Sequence, residues 1–485
     1  VETQLAAFCM AVSAGELSIA QGLDSTAAAA YYRAGLVQSG AVRLAVRGAR
    51  AWPDGRLLPH ALGFTGPITA EQWPAARARG LAMDATLGQS GLEAAYDDLL
   101  RGQDGTLLVN AGLDGIIRKA TQVCAPAPGS TLVLTLDAGL QKTLQAALQT
   151  QMDTLRTTKG AGAGREVKAG AAVVVDVRTG GILAAASLPD FDLNQYRSGY
   201  AALCADAAAP LLDRVCQGLY APGSAFKPAV AAAALTAGIS PASAVNCTGR
   251  YYYYSSYHPG CLQYGHSGPV DLRTALEYSC NIFFYDTGRR LGVDTFSAMA
   301  QRLGLAADTG VEVAAAQGRL TWSSDANYQD GLTLMAAIGQ GNTAVTPLQL
   351  AQYAATLASF GRKPALHFAD RAVDPATGET VWQYAPTFTE IPGGESVFGP
   401  IRDGMKRMAQ TSRVLREASV VCAAKTGSPQ LADTLPGGSH YVNSVLIGYA
   451  PADDPQIAAA VVLEYGGGGA NAAPILRAVL DAWFA

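Results

Sequence analysis

The sequence predicts an α+β fold, in which an antiparallel sheet flanked by helices is split by a large helical insertion and preceded by a smaller mixed α/β domain. Two β-prone runs, AAVVVDV and ILAAAS, flank a Gly-Gly turn and predict a hairpin. Three more β-prone runs occur near the carboxyl end, after a mostly helical stretch over residues 211–357. Strands and helices do not alternate regularly, which argues against a parallel α/β sheet.

The length of the chain indicates more than one domain. With 485 residues, it exceeds what one ordinary hydrophobic core accommodates, and two or three domains are expected. We predict a non-catalytic domain with its linker at residues 1–165 and a larger domain at residues 166–485. The segment 157–170 is rich in Gly and Ala with interspersed charges, which is typical of an exposed loop or linker.

Local patterns predict the individual elements of these two domains. In the first, Asp137 is the predicted N-cap of a helix that continues to about residue 155. The other predictions there are helices at 27–34 and 92–100, a strand with a loop at 57–64, and a strand at 131–136. In the second, we predict strands at 420–425, 442–449 and 457–464, and a closing helix at 472–484.

Composition and charge exclude several classes of protein. Apolar residues make up 49% of the chain and charged residues 15%, so it can bury a large core and is not disordered. The net charge of −4 gives no reason to expect a nucleic-acid partner. No uninterrupted apolar window is long enough to predict a membrane span. Because the chain begins at Val1 rather than Met, we expect that an N-terminal membrane anchor was removed.

The eight cysteines and five histidines predict neither a metal site nor a cofactor. No Cys-x-x-Cys pair and no His-Glu-x-x-His motif is present. Cys247 and Cys261 flank one loop, and Cys204 and Cys216 flank another, so either pair could form a disulfide in an oxidising compartment. The alternative, that all the cysteines are reduced and partly buried, stays open.

A first candidate motif is Pro-Gly-Ser-Ala-Phe-Lys-Pro, in which Ser224 and Lys227 lie three residues apart. The Pro-Gly pair breaks any secondary-structure element that precedes it, and an alanine-rich run follows. Ser224 is therefore predicted at the start of a helix. A serine hydroxyl needs a base, and a lysine kept neutral by burial or nearby charge can supply one. The helix N-terminus also offers N–H groups to a developing oxyanion. Alone, the pattern also fits an N-cap with a solvated lysine.

Two further motifs carry polar groups at element ends. Ser279 and Asn281 follow a helical run, and their hydroxyl and amide could relay a proton and hold a peptide amide. Lys425-Thr426-Gly427 ends a β-prone run, where the first two residues could hold a carboxylate and the glycine allows a substrate backbone close approach. Each motif alone also fits an ordinary polar turn.

The order Ser-x-x-Lys, Ser-x-Asn, Lys-Thr-Gly is the signature of penicillin-binding proteins and class A β-lactamases, and the sequence resembles the penicillin-binding protein family. GAAVVVDVRTGGILAAASLPDFDLNQY, ALEYSCNIFFYDTG and VLIGYAPADDPQIAAAVVLE resemble other parts of its transpeptidase domain. Upstream, LPHALGF and GQSGLEAAYDDLLRGQDG resemble the pedestal of class B members. The likeness covers roughly residues 40–485 and implies a β-lactamase/transpeptidase-like domain behind a pedestal or dimerisation-like domain.

The resemblance implies roles for the first two motifs. Ser224 would be the nucleophile that accepts the acyl group, and Lys227 its general base. Ser279 and Asn281 would handle protons and position the substrate. The reaction would cross-link peptidoglycan stem peptides through an acyl-enzyme, and β-lactams would acylate the same serine.

The resemblance also implies how the substrate is bound. Lys425 would complete the catalytic set and, with Thr426, bind the terminal carboxylate beside Gly427. The N–H groups of Ser224 and Ser428 would form the oxyanion hole. One departure is Ser428 followed by proline, where Thr-Ala is more usual, because proline has no donor to continue strand pairing. The region before about residue 40 matches poorly.

The same resemblance implies partners, a location and alternatives. The partners would be peptidoglycan stem peptides, β-lactam antibiotics and a separate membrane glycan polymerase, because the region before residue 170 is too short for a polymerase domain. The location would be the extracytoplasmic face of the bacterial cell membrane. A non-catalytic β-lactam sensor or scaffold of this fold is one alternative, and a serine β-lactamase is another, although a β-lactamase would be much shorter.

Overall fold

The computed structural model describes residues 25–36, 50–83, 85–111, 117–158, 160, 162–262, 265–435 and 438–485. The chain divides into two compact units. One comprises Val1–Ala51 and Gln103–Ala127, and the other comprises Trp52–Gly102 and Pro128–Ala485. No helix of the described residues is long and apolar enough to cross a membrane.

The described helices and strands are numbered separately along the chain. The helices are α1 Ser25–Arg33, α2 Pro59–Leu62, α3 Trp73–Ala78, α4 Gly91–Ala95, α5 Asp97–Leu100, α6 Ala138–Arg156, α7 Tyr196–Ala205, α8 Lys227–Thr236, α9 Leu272–Glu277, α10 Asn281–Leu291, α11 Val293–Arg302, α12 Asp330–Ala337, α13 Pro347–Ala358, α14 Gly394–Thr411 and α15 Ala473–Trp483. The strands are β1 Thr65–Pro67, β2 Thr86–Gly88, β3 Thr106–Ala111, β4 Ile117–Cys124, β5 Thr131–Leu134, β6 Gly170–Asp176, β7 Ile182–Leu188, β8 Val245–Cys247, β9 Gly268–Val270, β10 Arg362–Pro364, β11 Ala369–Val373, β12 Thr380–Gln383, β13 Phe388–Glu390, β14 Ala423–Gly427, β15 Gln430–Thr434, β16 His440–Val442, β17 Ser444–Ala450 and β18 Ile457–Leu463.

The second unit is built on an antiparallel sheet with strand order β14-β17-β18-β6-β7. Both faces of this sheet are covered, and successive side chains of a strand point to opposite faces. Val173 and Val175 join one hydrophobic core, whereas Ala172 and Val174 join another. The first core includes α8 and α13, and the second includes α6 and α15. Burial on both faces explains why these strands are almost continuously apolar in the sequence.

Helix α8 lies deep in the first core. Its residues 227–234 are all buried, and most of them are alanines. Small side chains let neighbouring elements approach closely, because an interior packed to crystal density leaves few voids for anything larger. The amino end of α8 is therefore fixed next to the sheet, where the Ser-x-x-Lys motif lies.

The structure confirms the predicted antiparallel sheet, its helical insertion and the closing helix. Strands β6 and β7 form the predicted hairpin, and the other three strands of the sheet lie within a few residues of the predicted runs. Asp137 caps α6 by accepting a hydrogen bond of 2.7 Å from the N–H of Leu140. These features depend on local patterns of sequence and were predictable for that reason.

One local prediction is wrong, and a second is right except for one break. The predicted strand at 57–64 is the helical turn α2, because Leu58 has a φ of 56° and Pro59 occupies the first helical position. Proline fixes φ in the helical range and lacks an N–H group that would have no partner there. The predicted helix at 92–100 is divided at Tyr96 into α4 and α5.

A second sheet went unpredicted. It has the order β12-β11-β5, so a strand that begins at Thr131 pairs with a strand more than two hundred residues later. Helix α6 packs on β7 of the main sheet. Residues 128–165 are thus part of the second unit, while the predicted domain boundary near residue 165 stays a prediction.

Candidate active site

Ser224 lies on the short 3₁₀ turn Gly223–Phe226 that leads into α8. Its side chain is partly exposed, whereas the residues on either side are buried. Gly223 has a φ of 55°, in the left-handed region that favours glycine. A side chain at Gly223 would also crowd Pro429 and the backbone nitrogen of Ser428. The local fold therefore presents one hydroxyl at the surface of a tightly packed turn.

Lys227, one turn further along, is fully buried. Its Nζ donates hydrogen bonds to the backbone oxygen of Ser279 at 2.7 Å, to Ser279 Oγ at 3.0 Å and to Asn281 Oδ1 at 2.7 Å. Burial lowers the pKa of Lys227 to about 7, because removal from water disfavours the charged amine. A lysine in this state can carry or lack its proton near neutral pH.

The segment that contacts Lys227 links α9 to α10. Ser279 has a φ of 59°, which is uncommon for a residue other than glycine. The N–H of Cys280 donates to the backbone oxygen of Ala275 at 2.9 Å, and Asn281 Nδ2 donates to the oxygen of Gly260 at 3.2 Å. The turn thereby directs both predicted polar groups of the second motif at Lys227.

The third motif lies on β14, at the edge of the main sheet. Strand β14 pairs with β17, and no described strand pairs with its other edge. Lys425 is fully buried, and its Nζ donates to the backbone oxygen of Thr426 at 3.1 Å. Its burial, and secondarily the charge of Lys227, lower the pKa of Lys425 well below its usual range.

Close backbone contacts bring β14 against the Ser224 turn. An added Cβ at Gly427 would lie 2.1 Å from the backbone oxygen of Pro222, so only glycine fits there. Ser428, which follows, is exposed, and its Oγ accepts a hydrogen bond of 2.8 Å from the N–H of Gly469. The eight predicted site residues therefore lie on three adjoining segments: the turn that leads into α8 with the first residue of α8, the turn that leads into α10 with the first residue of α10, and the end of β14 with the residue that follows it.

A cluster that the sequence analysis did not predict adjoins the second motif. The ligand atoms of Cys247, Cys261, His266 and Cys280 all lie within 4.8 Å of one another. His266 Nε2 is 3.5 Å from the Sγ atoms of both Cys247 and Cys261. The structure has thiols at the seven described cysteines, including both pairs for which a disulfide was considered.

The donor atoms and their separations fit a zinc-class ion. With Zn–S near 2.3 Å and Zn–N near 2.0 Å, tetrahedral geometry places neighbouring S and N atoms roughly 3.5 Å apart. Three thiolates and one imidazole are also a common structural zinc set. The prediction of no metal site relied on the absence of Cys-x-x-Cys, whereas here the spacing is Cys-x₁₃-Cys-x₄-His-x₁₃-Cys. Only the short Cys261–His266 spacing could have indicated the cluster.

Comparisons with known proteins identify the family. Residues 170–481 match the model of the penicillin binding protein transpeptidase domain. The chain therefore belongs to the penicillin-binding protein transpeptidase family. Residues 15–134 match the model of the penicillin-binding protein dimerisation domain. With that domain ahead of the transpeptidase domain, it is a class B penicillin-binding protein.

Individual relatives and solved structures agree with this assignment. The chain is 30% identical over 469 residues to the peptidoglycan D,D-transpeptidase MrdA of Acinetobacter baumannii, covering 91% of this chain and 67% of that protein. It is 27% identical to MrdA of Escherichia coli, covering 89% of this chain and 70% of that one. Pseudomonas aeruginosa PBP2 in complex with WCK 5153 has a TM-score of 0.71 at 28% identity, covering 89% of each chain. A chain from a peptidoglycan synthase complex has a TM-score of 0.78 at 30% identity, covering 94% of this chain and 80% of that one.

Proposed function

We propose that this protein is a serine D,D-transpeptidase that cross-links peptidoglycan stem peptides through an acyl-enzyme on Ser224. The observation that carries the proposal is the buried Lys227, with a pKa lowered to about 7, one helical turn from a partly exposed serine. The relatives named D,D-transpeptidases support the reaction. Penicillin-binding protein A of Mycobacterium tuberculosis forms an acyl-enzyme complex with imipenem, and its structure has a TM-score of 0.64 at 26% identity, covering 74% of this chain and 80% of that one.

In the acylation step, neutral Lys227 accepts the proton of the Ser224 hydroxyl. The resulting alkoxide attacks the carbonyl carbon between the two D-alanines of a stem peptide. The N–H groups of Ser224 and Ser428 stabilise the oxyanion. The C–N bond then breaks, the proton passes to the departing amine through Lys227 or Ser279, and free D-alanine leaves behind an ester on Ser224.

The second step reverses these proton movements with a different amine. An amino group from a neighbouring stem attacks the ester carbonyl and loses a proton to the Lys227 and Ser279 pair. The C–O bond breaks, the serine oxygen recovers its proton, and an amide cross-link is released. Lys425 and Thr426 bind the terminal carboxylate of the donor stem, and the open edge of β14 takes up its backbone.

The proposed location and partners follow from the proposed cross-linking reaction. Stem peptides are cross-linked outside the cytoplasmic membrane, so the catalytic unit acts on that face. The similar chain from a peptidoglycan synthase complex belongs to an assembly that coordinates polymerisation and cross-linking. We therefore place this protein beside a separate glycan polymerase.

Covalent labelling tests the proposal directly. Wild-type protein treated with a fluorescent penicillin is expected to carry one slowly released adduct, and peptide mass spectrometry is expected to place it on Ser224. Ser224→Ala removes the only oxygen of that side chain and should abolish labelling. Ser198→Ala is the matched control, because Ser198 is an exposed serine on α7. Equal labelling of Ser224→Ala would refute the assignment.

Two activity measurements separate transpeptidation from the alternatives. Many turnovers per second of a chromogenic β-lactam would indicate a β-lactamase. Labelling without release of D-alanine from a pentapeptide substrate, in the presence of an acceptor amine, would indicate a sensor or scaffold. The proposal expects little β-lactam turnover and D-alanine release in equal amount to new amide bonds.

A further inference from the structure

The second unit contains a cavity of about 610 Å³, called the polar cavity below, which none of the eight predicted site residues lines. Its walls come from the end of α11, the long loop that follows α11, and the segment between α12 and α13. Its volume lies within the range of about 300–1,000 Å³ that is usual for small-molecule sites. More than half of the lining side chains are polar, namely Gln301, Gln317, Arg319, Asp325, Asn327 and Asn342. Such a wall suits a ligand that is rich in hydroxyl and amide groups.

Hydrogen bonds fix the polar wall of this cavity in one arrangement. Asn342 Nδ2 donates to Asp325 Oδ2 at 2.7 Å, and the side-chain amides of Asn327 and Asn342 donate to each other at 2.7 and 3.0 Å. The backbone N–H of Trp322 donates to the same oxygen of Asp325 at 3.0 Å. Asp325 Oδ1 accepts no hydrogen bond from a described residue, so it is available to a ligand. A wall that is ordered beforehand lowers the entropy cost of binding.

Trp322 gives the polar cavity an aromatic side chain. It is partly buried and packs against the first hydrophobic core, and its indole N–H donates to no described residue. A pyranose ring presents C–H bonds on its faces and hydroxyl groups at its edge. An aromatic side chain beside carboxylate and amide groups therefore matches both parts of a sugar.

The charges and the apolar part of the wall narrow the class of sugar. Arg319 and Asp325 are the charged residues that line the cavity, and their opposite charges favour a neutral ligand over a phosphate or a free carboxylate. Ala306, Gly318 and Leu320 add small patches of apolar wall. An N-acetyl group carries an amide that can pair with the asparagine side chains and a methyl group that needs apolar surface. The cavity therefore suits an N-acetylated amino sugar.

One short segment between α12 and α13 connects the polar cavity to the nucleophile. The N–H of Gly223 donates to the backbone oxygen of Gly339 at 2.9 Å, and Asn342 of the cavity wall follows three residues later. Summing the largest possible spans of these bonds and residues places Asn342 no more than roughly 22 Å from Ser224. In a pentapeptide stem, four residues precede the reacting bond and span about 14 Å when extended. With its linker and ring, the sugar at the start of the stem can therefore reach the cavity.

We propose that the polar cavity binds an N-acetylated amino sugar of the glycan strand that carries the donor stem peptide. The sugar takes no part in the acyl transfer, and its binding holds the strand so that the stem reaches Ser224. Binding energy gained far from the reacting bond raises the efficiency of acylation by a stem peptide that carries its sugar. It gives no such gain with a β-lactam, which has no sugar. The inference rests on the proposed function of Ser224.

The first experiment measures sugar binding without acylation. In Ser224→Ala protein isotope-labelled at tryptophan, the indole N–H signals of the five tryptophans are followed by NMR, and Trp322→Phe identifies the signal of the cavity. The ligand is a peptide-free chitin tetrasaccharide, and the control is a cellulose tetrasaccharide, which has the same linkage and no acetamido groups. The Trp322 signal is expected to shift with the chitin sugar and to stay unchanged with the cellulose sugar. No shift, a shift confined to other tryptophans, or an equal response to both sugars would overturn the proposal.

The second experiment measures whether the polar cavity contributes to the reaction. The value of kcat/KM for D-alanine release is compared between a disaccharide pentapeptide and the same pentapeptide without sugar. Wild-type protein should prefer the disaccharide form, and Trp322→Ala should lower this preference at least about fivefold, the loss expected when a side chain important for binding is truncated. Trp382→Ala is the matched control, because Trp382 is a partly buried tryptophan of β12 that does not line the cavity. This variant should keep the wild-type preference.

A second variant keeps the test decisive if Trp322→Ala does not fold. Arg319 has an exposed side chain, and its two backbone hydrogen bonds to Ala344, of 2.8 and 2.9 Å, do not depend on that side chain. Arg319→Ala should also lower the preference for the disaccharide form, and a wild-type preference in the folded variants would overturn the role of the cavity.

Penicillin labelling separates sugar binding from damage to the active site. All folded variants should be labelled at the wild-type rate, because penicillin carries no sugar. An equal loss of penicillin labelling and of the preference for the disaccharide would show that the variants disturb the Ser224 turn, and it would overturn the proposal. If wild-type protein releases no D-alanine while the chitin tetrasaccharide still shifts the Trp322 signal, the failure lies with the proposed function.

Discussion

Replacing Gly427 with alanine is expected to slow acylation without unfolding the protein. The new Cβ would lie 2.1 Å from the backbone oxygen of Pro222. A relaxed carbon–oxygen contact is roughly 3.3 Å, so β14 and the Ser224 turn must separate by about 1.2 Å. A displacement of about 1 Å at reacting groups can reduce a rate by about 100-fold. We therefore expect an acylation rate constant lower by about two orders of magnitude.

The assay is time-resolved labelling with a fluorescent penicillin, together with thermal unfolding. Gly199→Ala is the matched control, because Gly199 lies in α7 and an added Cβ meets no atom within 4 Å. The control should label at the wild-type rate and should be no less stable. Labelling of folded Gly427→Ala at a rate within about threefold of wild type would refute the reasoning. It would show that the close approach of residue 427 to the backbone oxygen of Pro222 does not control the acylation rate.

Two further predictions concern charge. Because burial lowers the pKa of Lys227 to about 7, its neutral form predominates above that pH, so the acylation rate should rise through pH 7 and level off in a measured pH–rate profile. A rate that is flat between pH 5 and 9 would contradict Lys227 as the base. Arg214 is buried and pairs with Glu464 at 2.9 Å, so Arg214→Ala should lower the free energy of unfolding by about 3–5 kcal/mol in urea titrations. Arg178→Ala, which removes an exposed pair with Asp454, should cost at most about 1 kcal/mol, and similar losses in both variants would contradict the role of burial.

The sequence predicted the parts of the fold that depend on neighbouring residues. The hairpin of β6 and β7 follows from two apolar runs around a tight turn, and the α6 cap follows from Asp137 before a helix-forming run. The helix predicted at 92–100 was correct in type but missed the break at Tyr96. The turn at Leu58 and Pro59 was assigned to a strand because apolar residues dominate a window too short to show a period.

The pairing of strands that are far apart in the chain could not be predicted from the sequence. Strand β11 lies beside β5 across more than two hundred residues, and no local pattern specifies that partner. The three motifs of the site could be proposed together only because their order resembles a known family. The cluster of Cys247, Cys261, His266 and Cys280 could not be predicted because its residues are widely spaced in the sequence and meet only in the folded chain.

The alanine-rich helix α8 limits the positions at which this protein can accept amino-acid substitutions. Ala229, Ala231 and Ala232 have no exposed surface, so even one extra methylene beneath the nucleophile would strain the interior. Variants selected under antibiotic pressure should therefore spare this helix. They should accumulate at the end of β14, where Thr426 is partly exposed and Ser428 is exposed, and where a new side chain can discriminate between a drug and a stem peptide.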